Sequence, residues 1–127
     1  REVVMSKVQA IRGATTSPSN SSEKILAATT EMLDLIIKEN SLKVEDIISA
    51  FFTTTQDLNA EFPPVAARKI GWVNVALMCA HEMKVPGALQ KCIRVMVHVN
   101  TDKNPTDIVN IYLRDAANLR KRELEDD

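Results

Sequence analysis

Two arginines stand in apolar surroundings where a charged side chain is unexpected. Arg12 ends a run rich in β-branched residues and directly precedes Gly13, while Arg94 lies in the middle of the apolar stretch from Cys92 to Met96. At such positions an arginine either lays its alkyl stem over a half-solvated sheet face or presents its planar fork to carboxylates and other anionic oxygens. The pattern leaves both interpretations open, and it predicts at most an anion site.

The other side chains that could do chemistry are ordinary when each is considered alone. Glu82 is typical of a solvated loop carboxylate, Arg68 of a surface arginine on a short helix, and Tyr112 of an aromatic residue at the edge of a core. Cys79 and Cys92 have no evident base partner, and small cysteines usually pack in the interior. The histidines are not at ligand spacing with a cysteine, and the chain contains no phosphate-loop, dinucleotide-binding, zinc-protease or nucleophile-elbow motif. We therefore expect neither a metal nor a cofactor.

Length and charge indicate one domain without a nucleic-acid or membrane partner. A chain of 127 residues has the usual size of a single domain, so we expect one over residues 1–127, with peripheral tails at 1–7 and 121–127. The formal net charge of −1 does not favour nucleic acid, and no stretch approaches the roughly 20 apolar residues that span a bilayer. Because the N-terminus lacks the apolar core of a signal peptide and the cysteines are too few for a disulfide framework, we expect a cytoplasmic protein.

The first half of the chain predicts a strand, a long helix and a second strand. β-Branched residues over 3–12 predict a strand that ends at Gly13, and a polar turn follows over 15–22. Asn20 is the expected N-cap of a helix, in which apolar residues recur at helical spacing as far as Asn40, the expected left-handed stop. The β-branched and aromatic run over 47–55 predicts the second strand.

The second half predicts a short helix and three further strands. Phe-Pro-Pro at 62–64 opens a short helix, because proline is tolerated in a first helical turn, and this helix ends near Gly71. Strands follow over 73–79, 92–100 and 111–113, and the middle one alternates apolar residues on one face with Arg94 and its neighbours on the other. The order predicts an α+β fold, with a mixed sheet of about five strands that carries one long and one short helix. One face of that sheet stays uncovered, which favours association between copies.

Five segments carry a resemblance when they are taken in order: Ile11 to Thr16 at the end of a first strand, Phe62 to Trp72, Cys79 to Met83, Lys91 to Met96, and Thr101-Asp102 with Tyr112-Leu113. Together they resemble the small trimeric chorismate mutases, over nearly the whole chain. The resemblance implies a homotrimer with a barrel-like core and active sites at subunit interfaces. It also implies an isomerase that converts chorismate to prephenate in phenylalanine and tyrosine biosynthesis, with no cofactor.

The resemblance gives a role to each matched residue of the central site. Arg94 would donate to the ether oxygen and a carboxylate of chorismate, and Arg12 would grip the side-chain carboxylate. Glu82 would hold the ring hydroxyl, with Cys79 close by, and Tyr112 would contact the enolpyruvyl carboxylate. The catalytic residues would be Arg94, Glu82 and Arg12. An intramolecular Claisen rearrangement requires positioning and charge stabilisation but no base or metal, which agrees with the motifs that the chain lacks.

Further matched residues would surround this centre. Phe62 and Arg68 would bind substrate from a neighbouring subunit, and Arg120 would approach the mouth of the site from the tail. Val65 stands where several relatives carry a basic residue, so one peripheral cation at the mouth is missing. The segment from Arg68 to Gly71 is also one residue shorter. The alternative functions are a non-catalytic trimeric small-molecule-binding protein on the same scaffold and a structural trimer whose arginines pair with acids.

Overall fold

Five strands and two helices make up residues 7–119, the part of the chain that the computed structural model describes. In chain order they are β1 (Lys7–Thr16), α1 (Ser22–Glu39), β2 (Ile47–Thr54), α2 (Pro64–Lys69), β3 (Ala76–His81), β4 (Cys92–Thr101) and β5 (Ile111–Tyr112). Short 3₁₀ turns lie at Val44–Asp46, Pro105–Asp107 and Arg114–Asn118. The expected α+β fold with one long and one short helix is confirmed.

All five strands belong to one mixed sheet with the order β3-β2-β4-β1-β5. β4 lies at its centre and pairs antiparallel with both β1 and β2, whereas the outer pairs β1–β5 and β2–β3 are parallel. The predicted alternation along β4 is correct. Ile93, Val95 and Val97 are buried beneath the helices, and the residues between them point to the opposite face.

The face away from the helices is called the uncovered face below. The strand registers place on it Ala10, Arg12, Ser49, Phe51, Thr53, Met78, Arg94, Met96 and His98. Phe51 and Met78 are 45% and 69% exposed there. This face therefore combines apolar and cationic side chains, while the other face forms the hydrophobic core with Met32, Leu33 and Ile36 of α1.

Gly13 does not end the first strand, so that prediction was wrong. β1 continues in register with β4 as far as Thr16, which lies opposite Cys92. A Cβ atom at Gly13 would lie 2.8 Å from Cδ1 of Ile36 and 3.0 Å from Cγ1 of Val95. The glycine is thus required where side chains of α1 and β4 leave no room for a Cβ atom, rather than where the strand turns.

The predicted N-cap of α1 is wrong by one residue, whereas its predicted stop at Asn40 is correct except for the backbone conformation. The N-cap is Ser21, whose hydroxyl accepts a bond from the backbone N–H of Lys24 at 3.2 Å. Asn20 instead accepts bonds from the backbone N–H groups of Asn59 and Ala60, both at 3.0 Å. At the other end Asn40 is the C-cap, but its φ is −105°, and Ser41 with φ 51° is the left-handed residue.

The third strand lies later than the sequence predicts. The predicted start at residue 73 falls in a turn that follows α2, in which Gly71 has φ 102° and Trp72 is fully buried. Pairing of β3 with β2 begins only at Ala76, opposite Ser49.

Within residues 7–119, neither helix has the length and apolar character needed to cross a membrane.

Candidate active site

A single row of side chains crosses the uncovered face from β2 to β5. Thr53 lies opposite Arg94, Arg94 lies opposite Ala14, and Ala14 lies opposite Tyr112. Residues that are paired in this way project to the same side of a sheet. The register therefore brings Arg94 and Tyr112 together although neither strand is next to the other, with only the methyl group of Ala14 between them.

An ion pair between Arg94 and Glu82 lies at the β2 end of this row. Nε of Arg94 donates to Oε2 of Glu82 at 2.8 Å, and Nη2 donates to Oε1 at 2.9 Å. This two-point geometry fixes the plane of the guanidinium as well as its position. Glu82 follows directly after β3, and its backbone N–H donates to the carbonyl of Thr54 at 2.8 Å. The glutamate is therefore tied to β2 by its main chain and to β4 by its side chain.

The carboxylate of Glu82 is held in its ionised form. Burial raises its pKa, but hydrogen bonds from Arg94 and Thr53 and the positive charge of Arg94 outweigh burial, so the pKa of Glu82 lies below its ordinary value. In contrast to Glu82, both cysteines have a raised pKa. Burial raises the pKa of both the Cys79 and Cys92 thiols, that of Cys92 to about 11. Neither thiol is activated as a nucleophile, which agrees with the packing role expected from the sequence.

A cavity of about 240 Å³ lies beside the row. Its lining includes Arg12, Phe51, Arg94, Met96 and Tyr112. The hydroxyl oxygen of Tyr112 is buried and has no hydrogen-bond partner among the described residues, which is rare for a buried polar atom and indicates a missing partner. The volume is below the roughly 300 Å³ at which ligand pockets usually begin, so this cavity is the size of part of a site.

Two asparagines hold the strands that carry Arg12 and Tyr112. The side-chain oxygen of Asn110 accepts a bond from the backbone N–H of Arg12 at 2.8 Å. The buried amide of Asn40 bonds both backbone groups of Val109, at 2.8 Å to the N–H and 2.9 Å to the carbonyl. These bonds fasten the chain just before β5 to β1 and to the end of α1, and so they position Tyr112.

Phe62 and Cys79 lie in a second cavity, of about 330 Å³. Cys79 pairs with Phe52, which faces the helices, so its side chain points away from the face that carries Arg94. Phe62 is 66% exposed at the rim. One chain thus brings Arg12, Arg94 and Tyr112 together and joins Glu82 to them. Phe62 and Cys79 lie apart from this group, in the second cavity. The expectation that Cys79 lies close to Glu82 stays a prediction about the complete site.

Arg68, the remaining predicted site residue that the structure describes, joins neither group. Nη1 of Arg68 donates to the carbonyls of Trp72 at 2.5 Å and Val73 at 2.7 Å, so its guanidinium stabilises the turn after α2. Val65 is half-buried on the same helix. Arg120 lies outside the described residues.

Sequence reasoning did not nominate Thr53, Ala14 or Asn110. The alternation along the predicted second strand places Thr53 on the same face as Phe51, which was a usable signal. The importance of that face becomes visible only when the register with β4 is known. Within residues 7–119, no three side chains of the His, Cys, Asp and Glu types are grouped closely enough to hold a metal ion.

The fold and the site define a small mixed-sheet protein with a carboxylate-anchored arginine on an open sheet face. The family model for chorismate mutase type I matches residues 8–123. The chorismate mutases AroH of Bacillus subtilis (strain 168) and Thermus thermophilus are 43% and 40% identical over 114 residues, which are 89% of this chain and 90% and 93% of theirs. The chain belongs to the chorismate mutase type I family.

A solved structure agrees with this assignment. The chorismate mutase from Clostridium thermocellum superposes with a TM-score of 0.84 at 53% sequence identity, covering 85% of this chain and 96% of that one. The resemblance of the five short segments is therefore confirmed at the level of the whole chain and of the fold.

Proposed function

We propose that the protein is an isomerase that converts chorismate to prephenate. The observation that carries the proposal is the two-point ion pair between Arg94 and Glu82, which lies beside Arg12 and the hydroxyl of Tyr112, a group with no hydrogen-bond partner within residues 7–119. Chorismate carries two carboxylates and an ether oxygen, so a site for it needs several fixed hydrogen-bond donors. The names of the related proteins and the family model support the same activity.

The reaction is an internal rearrangement in which no atom is gained or lost. The ether C–O bond breaks while a C–C bond forms, and electrons move around a six-membered ring. Negative charge develops on the ether oxygen, and we assign its stabilisation to the guanidinium of Arg94. Because Glu82 holds that guanidinium in place before substrate arrives, little reorganisation is needed at the transition state.

Two further groups of the first cavity, together with Glu82 beside it, select the reactive shape of the substrate. Arg12 binds the side-chain carboxylate, Tyr112 donates to the enolpyruvyl carboxylate, and Glu82 accepts from the ring hydroxyl. Chorismate must fold its side chain over the ring before it can react, and contacts at both ends favour this compact conformer. The roles of Phe62, Cys79, Arg68 and Arg120 as substrate-binding residues belong to the same proposal.

The site is completed by a second copy of the chain. One chain holds its arginine-bearing cavity on the uncovered face and its Phe62–Cys79 cavity beside the edge strand β3, and each is small or open on its own. A homotrimer that packs the uncovered faces inward buries Phe51, Met78 and Met96 and lets the two kinds of cavity meet between neighbours. Its ligands are chorismate and prephenate in the cytoplasm, within phenylalanine and tyrosine biosynthesis, with neither nucleic acid nor a membrane as partner.

The first test is the loss of chorismate absorbance with purified protein, with prephenate identified as the product. Arg94→Lys keeps the charge but loses the two-point fork, so we expect turnover to fall about a hundred- to thousandfold, the usual effect of removing such a donor. Arg114→Lys is the matched control. Arg114 also pairs with a glutamate, Glu31, and its side chain is 44% exposed, as is that of Arg94.

The outcomes separate the possible functions. Rapid turnover that Arg94→Lys abolishes and Arg114→Lys preserves supports the mutase. Tight chorismate binding without turnover would instead favour the binding protein, and the absence of both would favour a structural role.

A second experiment tests whether the site is shared between subunits. Arg94→Ala inactivates one cavity, and Phe62→Asp places a carboxylate against a dianionic substrate in the other. If the two inactive proteins are unfolded and refolded together in equal amounts, about one site in four receives both intact cavities. Recovery of about a quarter of wild-type activity supports the shared site, and no recovery contradicts it.

A further inference from the structure

Thr53 makes a contact with Glu82 that the proposed mechanism does not yet use. Its hydroxyl Oγ1 donates to Oε2 of Glu82 at 2.5 Å, the same oxygen that accepts from Nε of Arg94 at 2.8 Å. Thr53 lies directly opposite Arg94 in the pairing of β2 with β4 and lines the same cavity. The hydroxyl of Thr53 on β2 and the guanidinium of Arg94 on β4 therefore donate to the same oxygen of Glu82, which follows β3.

We infer that Thr53 is a positioning residue for catalysis, whose hydroxyl holds the carboxylate of Glu82 in the orientation that aims Arg94 into the cavity. The inference rests on the proposed mutase activity. Thr53 need not touch the substrate, because its effect passes through Glu82 to the guanidinium.

The position of Glu82 explains why its carboxylate needs a second partner besides Arg94. Glu82 lies one residue beyond the end of β3, where strand pairing no longer restrains it. Its backbone is anchored by the carbonyl of Thr54 and by the amide of Gln56, which donates to the Glu82 carbonyl at 3.3 Å. Those bonds fix the main chain of Glu82, whereas its side-chain torsions are set by the hydrogen bonds that its carboxylate accepts. Thr53 is the neutral donor that restricts them.

A neutral donor from a strand is well suited to this task. Threonine is stiff at χ1 because of its branched Cβ, and Thr53 is in the interior of β2, so its hydroxyl has a defined direction. The bond is charge-assisted, and such bonds are short and about twice as strong as neutral ones. Arg94 on β4 is the charged group that acts on the carboxylate, and the thiol of Cys92 on the same strand feels the charges of both Glu82 and Arg94. Of these two groups, only Arg94 donates to Glu82.

Thr53→Val is the test, because valine keeps the shape and removes the hydroxyl. We expect kcat to fall about 10- to 100-fold, the usual effect of losing a hydrogen bond to a charged group, with KM close to the wild-type value because Arg94 acts mainly in the transition state. The acid limb of the kcat/KM profile moves to higher pH, because the carboxylate loses a bond that lowers its pKa. Thr53→Ser keeps the hydroxyl and restores most of the activity.

Thr55→Val provides a matched structural control. Thr55 is two residues further along and makes the same kind of bond, from its hydroxyl to Oδ1 of Asp57 at 2.5 Å. Its removal costs this bond and the one that its oxygen accepts from the backbone N–H of Cys92 at 2.9 Å. The local fold is therefore destabilised, but the donors Arg94 and Thr53 of Glu82 are kept. We therefore expect an unchanged Glu82 titration in this variant.

The decisive measurement is the titration of the Glu82 side-chain carboxyl carbon by NMR in the wild type and the three variants. A raised Glu82 pKa in Thr53→Val alone supports the inference, together with the shift of the acid limb. It is overturned if Thr53→Val titrates and turns over like the wild type, or if Thr55→Val shifts Glu82 equally. Failure of the wild type to convert chorismate would refute the proposed activity, while the titration still decides whether Thr53 holds Glu82.

Discussion

Gly13→Ala tests how closely α1 is packed onto the strand that carries Arg12. The added methyl group would lie 2.8 Å from Cδ1 of Ile36, 3.0 Å from Cγ1 of Val95 and 3.2 Å from Cγ of Met32. The end of Ile36 can rotate away, but Val95 is β-branched and lies in a central strand, so it has little freedom. Ile36 is fully buried, and its rotation would disturb further neighbours in a close-packed core.

The expected loss of stability follows from two opposing effects. Overpacking of this kind costs about 1–3 kcal/mol, whereas replacing glycine by alanine restricts the unfolded chain and recovers about 0.4–1 kcal/mol. We therefore expect the free energy of unfolding to fall by about 1–2 kcal/mol, measured by urea denaturation at one fixed protein concentration. Because β1 is displaced where it packs against α1, activity should fall as well.

A double-mutant cycle identifies the atom responsible. Ile36→Val removes Cδ1 and alone costs about 0.5–1.5 kcal/mol. If the steric contact is real, the double variant Gly13→Ala/Ile36→Val loses less stability than the sum of the single changes. Additive losses would refute this reasoning, as would a Gly13→Ala protein as stable as the wild type.

Three further predictions concern groups around the site. Asn40→Ala should lower the free energy of unfolding by about 2–3 kcal/mol, because both backbone groups of Val109 lose their partner. If urea denaturation shows a loss below about 0.5 kcal/mol, which is within the scatter of surface substitutions, this prediction is contradicted. The pKa values of Asp57 and Glu82 lie below their ordinary values of 3.8 and 4.5, so both stabilise the fold above those values and lose that contribution as pH falls through the folded pKa. The urea concentration at the midpoint of unfolding should therefore decrease once the pH falls below about 4, and this decrease should be less steep in Glu82→Gln. Since burial raises the pKa of Cys92 to about 11, only about 0.1% of it is thiolate at pH 8, and native protein should be alkylated at Cys79 first; mass spectrometry that finds Cys92 modified first would contradict this.

The parts of the fold that the sequence predicts well are those with a strong local period. Along β4 each buried valine alternates with a residue of the uncovered face, and a period of two is visible without any knowledge of the neighbours. The same holds for the apolar spacing of α1. The number of strands, the mixed sheet and the placement of Arg94 were predicted for this reason.

The errors occur where distant residues decide. Asn20 and Ser21 are both good caps, and the choice of Ser21 follows from Asn59 and Ala60, to which Asn20 is bonded about forty positions along the chain. The sequence around Gly13 is typical of a strand end. Only the position of α1 above it shows that a Cβ atom would not fit there. Such contacts leave no periodic signal in the sequence.

The candidate site shows the same division. Pattern alone allows two interpretations of Arg12 and Arg94, as surface arginines or as an anion site, and it indicates a solvated loop carboxylate at Glu82. The resemblance to a family nominated Glu82, and the geometry then joined it to Arg94. Thr53 was missed because its partner Glu82 is 29 residues away, and a threonine in a strand is unremarkable until that partner is known.

The alternation along β4 also bears on how the chain finds its strand pairing. A slip by one residue would exchange the two faces of the strand. Arg94 would then enter the core without its carboxylate, and Val95 would be turned towards solvent. A guanidinium buried without a partner is costly by several kcal/mol, so the residue that we assign to chemistry also disfavours the wrong register during folding. An Arg94→Leu chain would lose that discrimination, and its refolding would be expected to become slower and more heterogeneous even where its native stability is preserved.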